Sequence, residues 1–357
     1  MTTPRRDGFY MPAEFAAHSA TIMIWCERPG SWTYGAAPAR PVFAEIIKTI
    51  SLGEKVYLAV SASGRDSAEK LLAQQITNGS VELWETQTDD CWARDMAPTF
   101  LKRGNEVRGV DWEFNAWGGA VDGLYSHWDR DDKFAAFACG KLGLKSYSAR
   151  PFVLEGGSVH SNGKGTVITT EECLLSAGRN PLLTKLQIEK NLKEYLGAER
   201  VIWLPYGVCG DETNGHVDNI CAFADENTVI LGWTEEDGEQ GRRCDQNAKV
   251  LEDAGLKIIK LPFPEKPVTF TQRDLDGFTY EKGEIERNLN EPLAASYVNF
   301  YVCNAAVIVP VFGDKNDGKA LKILQGAFPS KKIVPVFARE LILGGGNIHC
   351  LTQQIPR

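Results

Sequence analysis

The sequence predicts an α/β fold in which five short repeated units close into a ring. Short β-branched strands alternate with helical stretches, each unit contains a glycine- or aspartate-containing turn, and the last unit is one strand short. Alternating strands and helices are typical of α/β proteins, and closure of a ring removes exposed sheet edges. We therefore predict a closed five-fold pseudosymmetric α/β propeller that forms one domain over residues 1–357, although length alone would suggest two.

Each predicted unit consists of strand and turn segments that are usually followed by a helix. The strand and turn segments cover residues 81–84, 91–95, 107–112, 144–147, 153–160, 165–170, 201–205, 213–220, 228–232, 256–262, 297–302, 306–310, 332–336 and 343–350. The helices cover residues 131–142, 183–196, 244–254 and 318–328. The expected buried stripe of the second helix is Leu186, Ile188, Leu192 and Leu196. The strand that the fifth unit lacks is available near the start of the chain, at residues 20–25.

Composition and charge narrow the classes of function. With 43% hydrophobic residues the chain can bury a large core, which excludes disorder. The net charge of −8 argues against nucleic acid as a partner and mildly favours a cationic small molecule. We see no apolar run near the roughly 18 residues of a membrane span and no signal peptide, so we expect no membrane partner and a cytoplasmic location. The nine cysteines form no CxxC pair, and we expect reduced, mostly buried thiols.

Cys350 is the candidate nucleophile. It follows Gly344, Gly345 and Gly346, and glycines let a backbone approach a ligand closely. A thiolate is a strong nucleophile once a nearby cation lowers its pKa. The alternative is a buried, inert thiol. His349 would face the opposite way on a strand, so we assign it no catalytic role.

Four other polar residues stand at corresponding turns of different units. His216 and Asp218 are two positions apart and would share one face of a strand, and histidine is the natural acid–base group near neutral pH. The others are Asp95 and Glu155. The structural alternatives are a core histidine for His216, an ion pair with Arg94 for Asp95, and a simple turn residue for Glu155. Because equivalent turns of a ring meet at one end of its axis, we expect these residues to converge on the thiol.

This set of groups suits a cationic, planar and electrophilic ligand. It holds one thiol, one imidazole and three carboxylates, and the sequence carries no Walker A motif, no GxGxxG after a strand and no metal-ligand spacing. Guanidinium fits, because two carboxylates can grip its N–H edges while a thiolate attacks its central carbon.

Several motifs resemble those of agmatine deiminases, which belong to the guanidino-group-modifying superfamily on the pentein fold. They are WARDMAP at 92–98, LEGGSVH at 154–160, GDETNGHVDN at 210–219, GGGNIHCLTQQ at 344–354, GFYMPAEF at 8–15 and AASYVNFY at 294–301. The resemblance therefore covers nearly the whole chain, and its C-terminal motif is highly specific. Ala97 departs from the family, whose members commonly have glycine at that position.

The resemblance implies the hydrolysis of agmatine to N-carbamoylputrescine and ammonia, with no cofactor and no metal. It implies Cys350 as the nucleophile and His216 as the general acid and base. Asp95 and Asp218 would hold the guanidinium, and Glu155 would bind it or orient His216. The covalent intermediate would be an amidino-thioether.

The same resemblance suggests how the rest of the substrate is bound. Trp92 would line the pocket, and Glu212 or Asp211 would meet the primary amine of agmatine. Relatives suggest a homodimer. These assignments are expectations about the distal part of the site.

Other functions remain open at this point. An arginine or peptidyl-arginine deiminase would differ only in the tail pocket, and a free carboxylate would need a cation such as Arg94. A non-catalytic pentein, like the ribosome anti-association factor, should lack the cysteine, histidine and carboxylate set. A papain-like thiol protease would carry its cysteine at a helix N-terminus.

Overall fold

Five small sheets, each containing parallel and antiparallel pairs, form the framework of the chain. The computed structural model describes residues 2–282 and 284–357. The strands are β1 (His18–Ile24), β2 (Lys55–Val60), β3 (Val81–Glu85), β4 (Thr99–Arg103), β5 (Glu106–Glu113), β6 (Ser146–Val153), β7 (Val159–Ser161), β8 (Thr166–Thr170), β9 (Arg200–Leu204), β10 (Cys221–Phe223), β11 (Thr228–Trp233), β12 (Lys257–Pro262), β13 (Tyr301–Val302), β14 (Ala306–Val311), β15 (Lys332–Phe337) and β16 (Gln353–Pro356). The α-helices are α1 (Ala39–Ile50), α2 (Arg65–Thr77), α3 (Ala93–Met96), α4 (Gly119–Asp122), α5 (Asp129–Asp132), α6 (Phe134–Leu142), α7 (Glu171–Leu174), α8 (Lys185–Leu196), α9 (Glu239–Asp253), α10 (Gln272–Leu275), α11 (Asp317–Ala327) and α12 (Arg339–Ile342). Short 3-10 turns cover Thr33–Ala36, Gly156–Ser158 and Val217–Asn219.

Four sheets share one arrangement, in which a third strand extends an antiparallel hairpin. Their strand orders are β4-β5-β6, β7-β8-β9, β10-β11-β12 and β13-β14-β15. In each of them the first pair is antiparallel and the second pair is parallel. A parallel neighbour requires a crossover connection, and the crossovers contain α6, α8, α9 and α11. The α/β class predicted from the sequence is confirmed.

The fifth sheet joins the two ends of the described chain, in the order β16-β1-β2-β3. β1 pairs antiparallel with β16, from His18 opposite Pro356 to Ile22 opposite Gln353. It pairs in parallel with β2, and α1 lies in that crossover. The N-terminal strand thus does pair with the C-terminal end of the chain, but its partner β16 lies beyond the predicted fifth unit, whose strand at 332–336 belongs to the preceding sheet.

The predicted boundaries of the units are wrong by one strand. All five strands predicted to begin a unit, at 81–84, 144–147, 201–205, 256–262 and 332–336, instead end the preceding sheet. The reason is that a strand after a crossover helix pairs with the strand before that helix. The sequence prediction also omitted β2, β4, β10, β16, α1 and α2. It placed strand or turn segments over 91–95 and 213–220, which hold the short helix α3 and a 3-10 turn, and over 343–350, where the chain forms turns.

Helix α8 shows how local sequence sets the bounds of an element. Thr184 forms a reciprocal capping box at its start, and Gly197 ends it with a left-handed φ of 64°. Its buried stripe is Ile188, Leu192 and Leu196, as predicted. Leu186 is 78% exposed, so the prediction is wrong for that residue. It stands two positions before Ile188, about 200° around the helix from the buried face.

The interior consists of strands that are apolar on both faces. β11 and β14 are buried along nearly their whole length, which is typical of strands with parallel neighbours. All nine cysteines are free thiols, and all but Cys209 are buried, as predicted. Over the described residues, no helix combines the length and the apolar character that crossing a membrane would require.

Candidate active site

Each of the five units contributes one segment to the same place, and each segment lies just before one strand of an antiparallel pair. The segments contain α3 before β4, Gly156–Ser158 before β7, Val217–Asn219 before β10, Asn299 before β13 and Cys350 before β16. Hydrogen bonds join them: Arg94 N donates to Cys350 O at 3.0 Å, and Asn299 Nδ2 donates to Asn219 Oδ1 at 2.9 Å. The structure thus brings the predicted turns together, with Asn299 as a contributor that the sequence did not single out.

Cys350 lies in a turn and is 5% exposed. Its Sγ is 3.3 Å from Asn299 Nδ2 and 3.6 Å from Asp218 Oδ2. Burial, together with the negative charges of Asp218 and Asp95, raises the pKa of the thiol well above its ordinary value. A cation bound among these carboxylates would oppose their effect and favour the thiolate.

The glycines before Cys350 have steric reasons. Gly345 has a φ of +100°, which side-chain-bearing residues rarely adopt. A Cβ on Gly346 would lie 2.5 Å from the ring of Trp92. Trp92 is held in turn by Trp32, with 5.3 Å between ring centroids. The chain therefore passes directly over an aromatic wall.

His216 stands at the start of the 3-10 turn Val217–Asn219 rather than on the predicted strand. Its Nε2 is 3.7 Å from Glu155 Oε2, and its Nδ1 is 4.0 Å from Asp95 Oδ2. Neither ring nitrogen has a hydrogen-bond partner among the described residues. Burial lowers the pKa of His216, but Asp95, Cys173 and Glu155 outweigh burial and raise that pKa well above its ordinary value. The imidazole is therefore protonated, and suited to donate a proton, at neutral pH.

Glu155 is fully buried beside an arginine. Arg179 Nε lies 2.8 Å from Glu155 Oε1, and both side chains are shielded from solvent. Burial raises the pKa of Glu155, but Arg179 and His216 outweigh it, and the pKa falls to about 2. The ionised carboxylate lies between Arg179 and His216, which supports a role in orienting His216.

Asp95 is fixed from two sides. Gly157 N donates to its Oδ1 at 2.8 Å, and Trp117 Nε1 donates to its Oδ2 at 2.9 Å. Burial and two neighbouring carboxylates raise the pKa of Asp95 to about 6, against the opposing charge of His216. Its helix, α3, ends at Ala97, whose φ of −78° and ψ of 160° suit any residue, so alanine fits where the family commonly has glycine.

Asp218 is held ionised although it is 1% exposed. Its Oδ2 accepts a hydrogen bond from His349 Nδ1 at 2.8 Å. Burial raises the pKa of Asp218, but the hydrogen bond and charge of His349 outweigh burial and lower that pKa. Its other oxygen, Oδ1, has no hydrogen-bond partner within the described ranges and can accept further donors.

Gly157 stands where three of these side chains meet. A Cβ at this position would lie 2.6 Å from His216 Nδ1, 2.9 Å from Asp218 Oδ2 and 3.0 Å from Asp95 Oδ1. Contacts this short are essentially never made by a real Cβ atom. The second glycine of the Glu-Gly-Gly motif therefore leaves room for the polar groups themselves.

A pocket with an empty volume of ≈ 270 Å³ lies beside the thiol. Its walls are Trp92, Asp95, Trp117, Leu124, Glu212, Thr213, Gly344, Gly345, Gly346 and Cys350. The buried groups His216, Glu155 and Asp218 surround the reactive end behind this wall, within the distances given above. Trp92 is thus one of the walls beside the thiol.

The distal end of the pocket carries an ion pair. Arg287 donates to both carboxylate oxygens of Glu212, with Nη2 2.8 Å from Oε2. Burial raises the pKa of Glu212, and the charge of Arg287 opposes that effect. Asp211, the other residue considered for the amine, instead accepts hydrogen bonds from Thr213 and Asn219. Arg287 lies outside every motif in the sequence, so sequence reasoning missed it.

Arg94 and His349 play parts that differ from those expected. Arg94 pairs with Glu14, at 3.1 Å, and not with Asp95; its guanidinium is buried away from the pocket wall. His349, to which we assigned no role, donates to Asp218. It can do so because the turn at 349–350, unlike a strand, does not place successive side chains on opposite faces.

Among residues 2–282 and 284–357, two groups of side chains carry metal-ligand atoms within 4.8 Å of one another. They are Glu14, His160 and His349, and Glu155, Cys173 and His216. In the first group both ring nitrogens of His349 are engaged by carboxylates. In the second, Arg179 lies against Glu155, and its positive charge opposes a bound cation. Neither group is arranged as a ready cation site.

Comparison with known proteins gives the class first. Residues 10–356 match the family model of the Porphyromonas-type peptidyl-arginine deiminases, and the chain belongs to that family. A relative from Selenomonas ruminantium is 51% identical over 99% of this chain and 98% of its own length. An agmatine deiminase from Ectopseudomonas mendocina (strain ymp) is 46% identical over 99% of this chain and 97% of its own.

A solved structure agrees with these relatives. The agmatine deiminase of Enterococcus faecalis, described as catalysing its reaction, superimposes with a TM-score of 0.95 at 41% identity, over 100% of this chain and 98% of that one. The resemblance to agmatine deiminases noted from the motifs is thus confirmed, and so is the expectation of an enzyme.

Proposed function

We propose that the chain hydrolyses agmatine to N-carbamoylputrescine and ammonia through a covalent intermediate on Cys350. The observation that carries this proposal is the meeting of one thiol, one imidazole and three carboxylates around a single pocket wall. Relatives that are 46% and 41% identical over nearly the whole chain, and are agmatine deiminases, support the choice of substrate.

Binding begins with the charge of the substrate. Asp95 and Asp218 offer carboxylate oxygens to the N–H edges of the guanidinium, and such charged hydrogen bonds are both strong and directional. The cation opposes the charges that keep Cys350 protonated, so binding lowers the pKa of the thiol. The substrate itself therefore helps to generate its nucleophile.

The chemical steps follow from the positions of Cys350 and His216. The thiolate forms a C–S bond to the guanidinium carbon, which becomes tetrahedral. His216 donates its proton to one terminal nitrogen, the C–N bond breaks, and ammonia leaves from an amidino-thioether. The proton that Cys350 loses on substrate binding passes to solvent. A water molecule then gives one proton to His216 and its oxygen to the same carbon; the C–S bond breaks, and the remaining hydroxyl proton passes to the departing sulfur as the ureido carbonyl forms. The sum is agmatine plus water giving N-carbamoylputrescine plus ammonia.

Glu212 is the proposed partner of the substrate's primary amine. Its oxygens already accept from Arg287, and a carboxylate has further lone pairs for an ammonium. The α-carboxylate of arginine would instead face Glu212 and compete with it for Arg287. Arg94 cannot bind this α-carboxylate, because its guanidinium is paired with Glu14 outside the pocket. The pocket thus favours agmatine over arginine and peptidyl-arginine.

A substrate panel tests this assignment. Agmatine, arginine and a blocked arginine peptide are compared by the rate of ureido product, with Cys350→Ala as the inactive reference. We expect kcat/KM for agmatine to exceed that for arginine by at least about a hundredfold, which corresponds to about 2.7 kcal/mol. Glu212→Gln should reduce this ratio. Equal rates on arginine would overturn the agmatine assignment, and residual turnover by Cys350→Ala above about a hundredth of wild type would overturn the covalent mechanism.

We also propose that the five sheets surround one axis as a closed pentein propeller and that residues 1–357 form a single catalytic domain. The pairing of β16 with β1, and the packing of β16 beside β4 and of β7 beside β10, support this arrangement. A homodimer in the cytoplasm is the expected working form. Sedimentation at equilibrium tests the dimer, and fractionation of cells tests the compartment.

A further inference from the structure

A buried chain of charged side chains lies behind Asp218. His349 Nδ1 is 2.8 Å from Asp218 Oδ2, and His349 Nε2 is 2.7 Å from Glu14 Oε2. Glu14 is itself fixed, because it accepts from Val302 N at 2.9 Å and from Arg94 Nη2 at 3.1 Å. The imidazole is thus clamped between two carboxylates, all three side chains being at most 5% exposed.

This clamp determines what Asp218 presents to a ligand. One oxygen of Asp218 is used by His349, while Oδ1 makes no hydrogen bond within the part of the chain that the structure describes. The backbone N of His349 donates to Asn299 Oδ1 at 3.0 Å, which fixes the ring's own position. Rotation of the Asp218 carboxylate would break the contact with His349, so the orientation of Oδ1 is set from behind.

We infer that His349 is a positioning residue, which together with Glu14 holds Asp218 in the orientation and charge state that guanidinium binding requires. The inference rests on the proposed function, because it concerns the carboxylate that grips the substrate. The His349 side chain is not one of the pocket walls, and it acts through Asp218.

The charged groups around His349 favour its protonated form. Burial and Arg94 lower its pKa, but Glu14 and Asp218 outweigh them and raise it. His160 stacks on the ring at 6.0 Å between centroids, and burial lowers the pKa of His160 to about 4. His160 is therefore neutral and does not compete for the proton. The same Oδ2 of Asp218 lies 3.6 Å from Cys350 Sγ, and the positive charge of His216 also lowers the pKa of Asp218.

His160 is also a matched control. It occupies in its own motif the place that His349 occupies in the C-terminal one, LEGGSVH against LGGGNIH. Its Nδ1 accepts a hydrogen bond from Phe223 N at 3.4 Å, and although the ring lies within 4.8 Å of Glu14 it makes no hydrogen bond to Glu14 or Asp218. A role specific to His349 should therefore be absent when His160 is changed.

The test measures agmatine binding in a Cys350→Ser parent, which stops turnover. Titration calorimetry is run near pH 6 and near pH 8.5 on the parent, on His349→Gln and on His160→Gln. Glutamine keeps a donor but removes the positive charge, so the pKa of Asp218 rises and more of it is protonated at the lower pH. We expect binding to weaken more than about tenfold near pH 6 and clearly less near pH 8.5, with His160→Gln unchanged.

A merely structural role would weaken binding equally at both pH values, and that result overturns the inference while leaving the proposed function intact. A parent that binds no agmatine overturns the proposed function and this inference with it. Should His349→Gln fail to fold, ring nitrogen NMR of the parent decides, because the chain has only five histidines to assign. His349 protonated on both nitrogens near pH 7.5 supports the inference, and a neutral ring contradicts it.

Discussion

Gly157→Ala places one methyl group among three reactive side chains. The new Cβ would stand 2.6 Å from His216 Nδ1, and ordinary contact requires about 3.4 Å or more, so the imidazole or the backbone must move by about 0.8 Å. Asp218 and Asp95 are also within 3.0 Å of the same point. A misplacement of about 1 Å in an active site can cost roughly a hundredfold in rate.

We therefore expect kcat/KM on agmatine to fall by more than about thirtyfold, measured by ureido product. The matched control is Gly140→Ala in α6, where a Cβ meets nothing within 4 Å. That variant should keep full activity and melt at the same or a slightly higher temperature, since alanine is the better helix former. If Gly157→Ala retained activity within threefold of wild type while folded, the crowding of His216, Asp218 and Asp95 around this glycine would be refuted.

Three further outcomes follow from the site. Asp95→Asn and Asp218→Asn should each lower kcat/KM by more than about tenfold, because each loses a charged hydrogen bond of roughly 1.5–3 kcal/mol; a near-neutral Asp218→Asn would contradict its role. Since the pKa of Asp95 is about 6, kcat/KM should drop as pH falls through about 6, where the carboxylate gains a proton, and that limb should be absent in Asp95→Asn. Arg179→Met leaves Glu155 buried without its partner and should lower the free energy of unfolding in urea by about 3–5 kcal/mol. The control is Arg65→Met, whose ion pairs are exposed and whose loss should cost less than about 1 kcal/mol. Equal costs would show that the buried pair contributes no more than a surface one.

The alternation of strands and helices was predictable, whereas the grouping of strands into sheets was not. Short apolar runs such as β9, β11 and β14 are readable from their β-branched residues alone. Whether a strand such as β6 pairs backwards or forwards depends on contacts distant in sequence, which a single chain does not display. The joining of the two chain ends was a partial exception, because an N-terminal strand was expected to complete the last unit, although its partner β16 was not predicted.

In the candidate active site, the reactive residues were easier to predict than the residues that hold them in place. Residue type and nearby glycines made the reactive groups recognisable in the sequence, namely Cys350, His216 and the three carboxylates. Arg179, Arg287 and Glu14 were not recognisable, since an isolated arginine or glutamate in the sequence has no spacing that relates it to a partner 24 or more residues away. Their roles follow from burial, because a buried charge must find an opposite charge wherever the fold brings one.

Because β1 pairs with β16, the sheet and the active site can be completed only after the C-terminal end of the chain has been synthesised. A chain emerging N-terminus first displays β1 early, yet the strand that covers its outer edge is made more than 300 residues later. Until then that edge is open to pairing with another chain. The segment that carries Cys350 arrives with the same late strand. A chain truncated before the Cys350 segment would therefore keep an uncovered sheet edge and lack the nucleophile. Such truncated chains should be inactive and prone to aggregate.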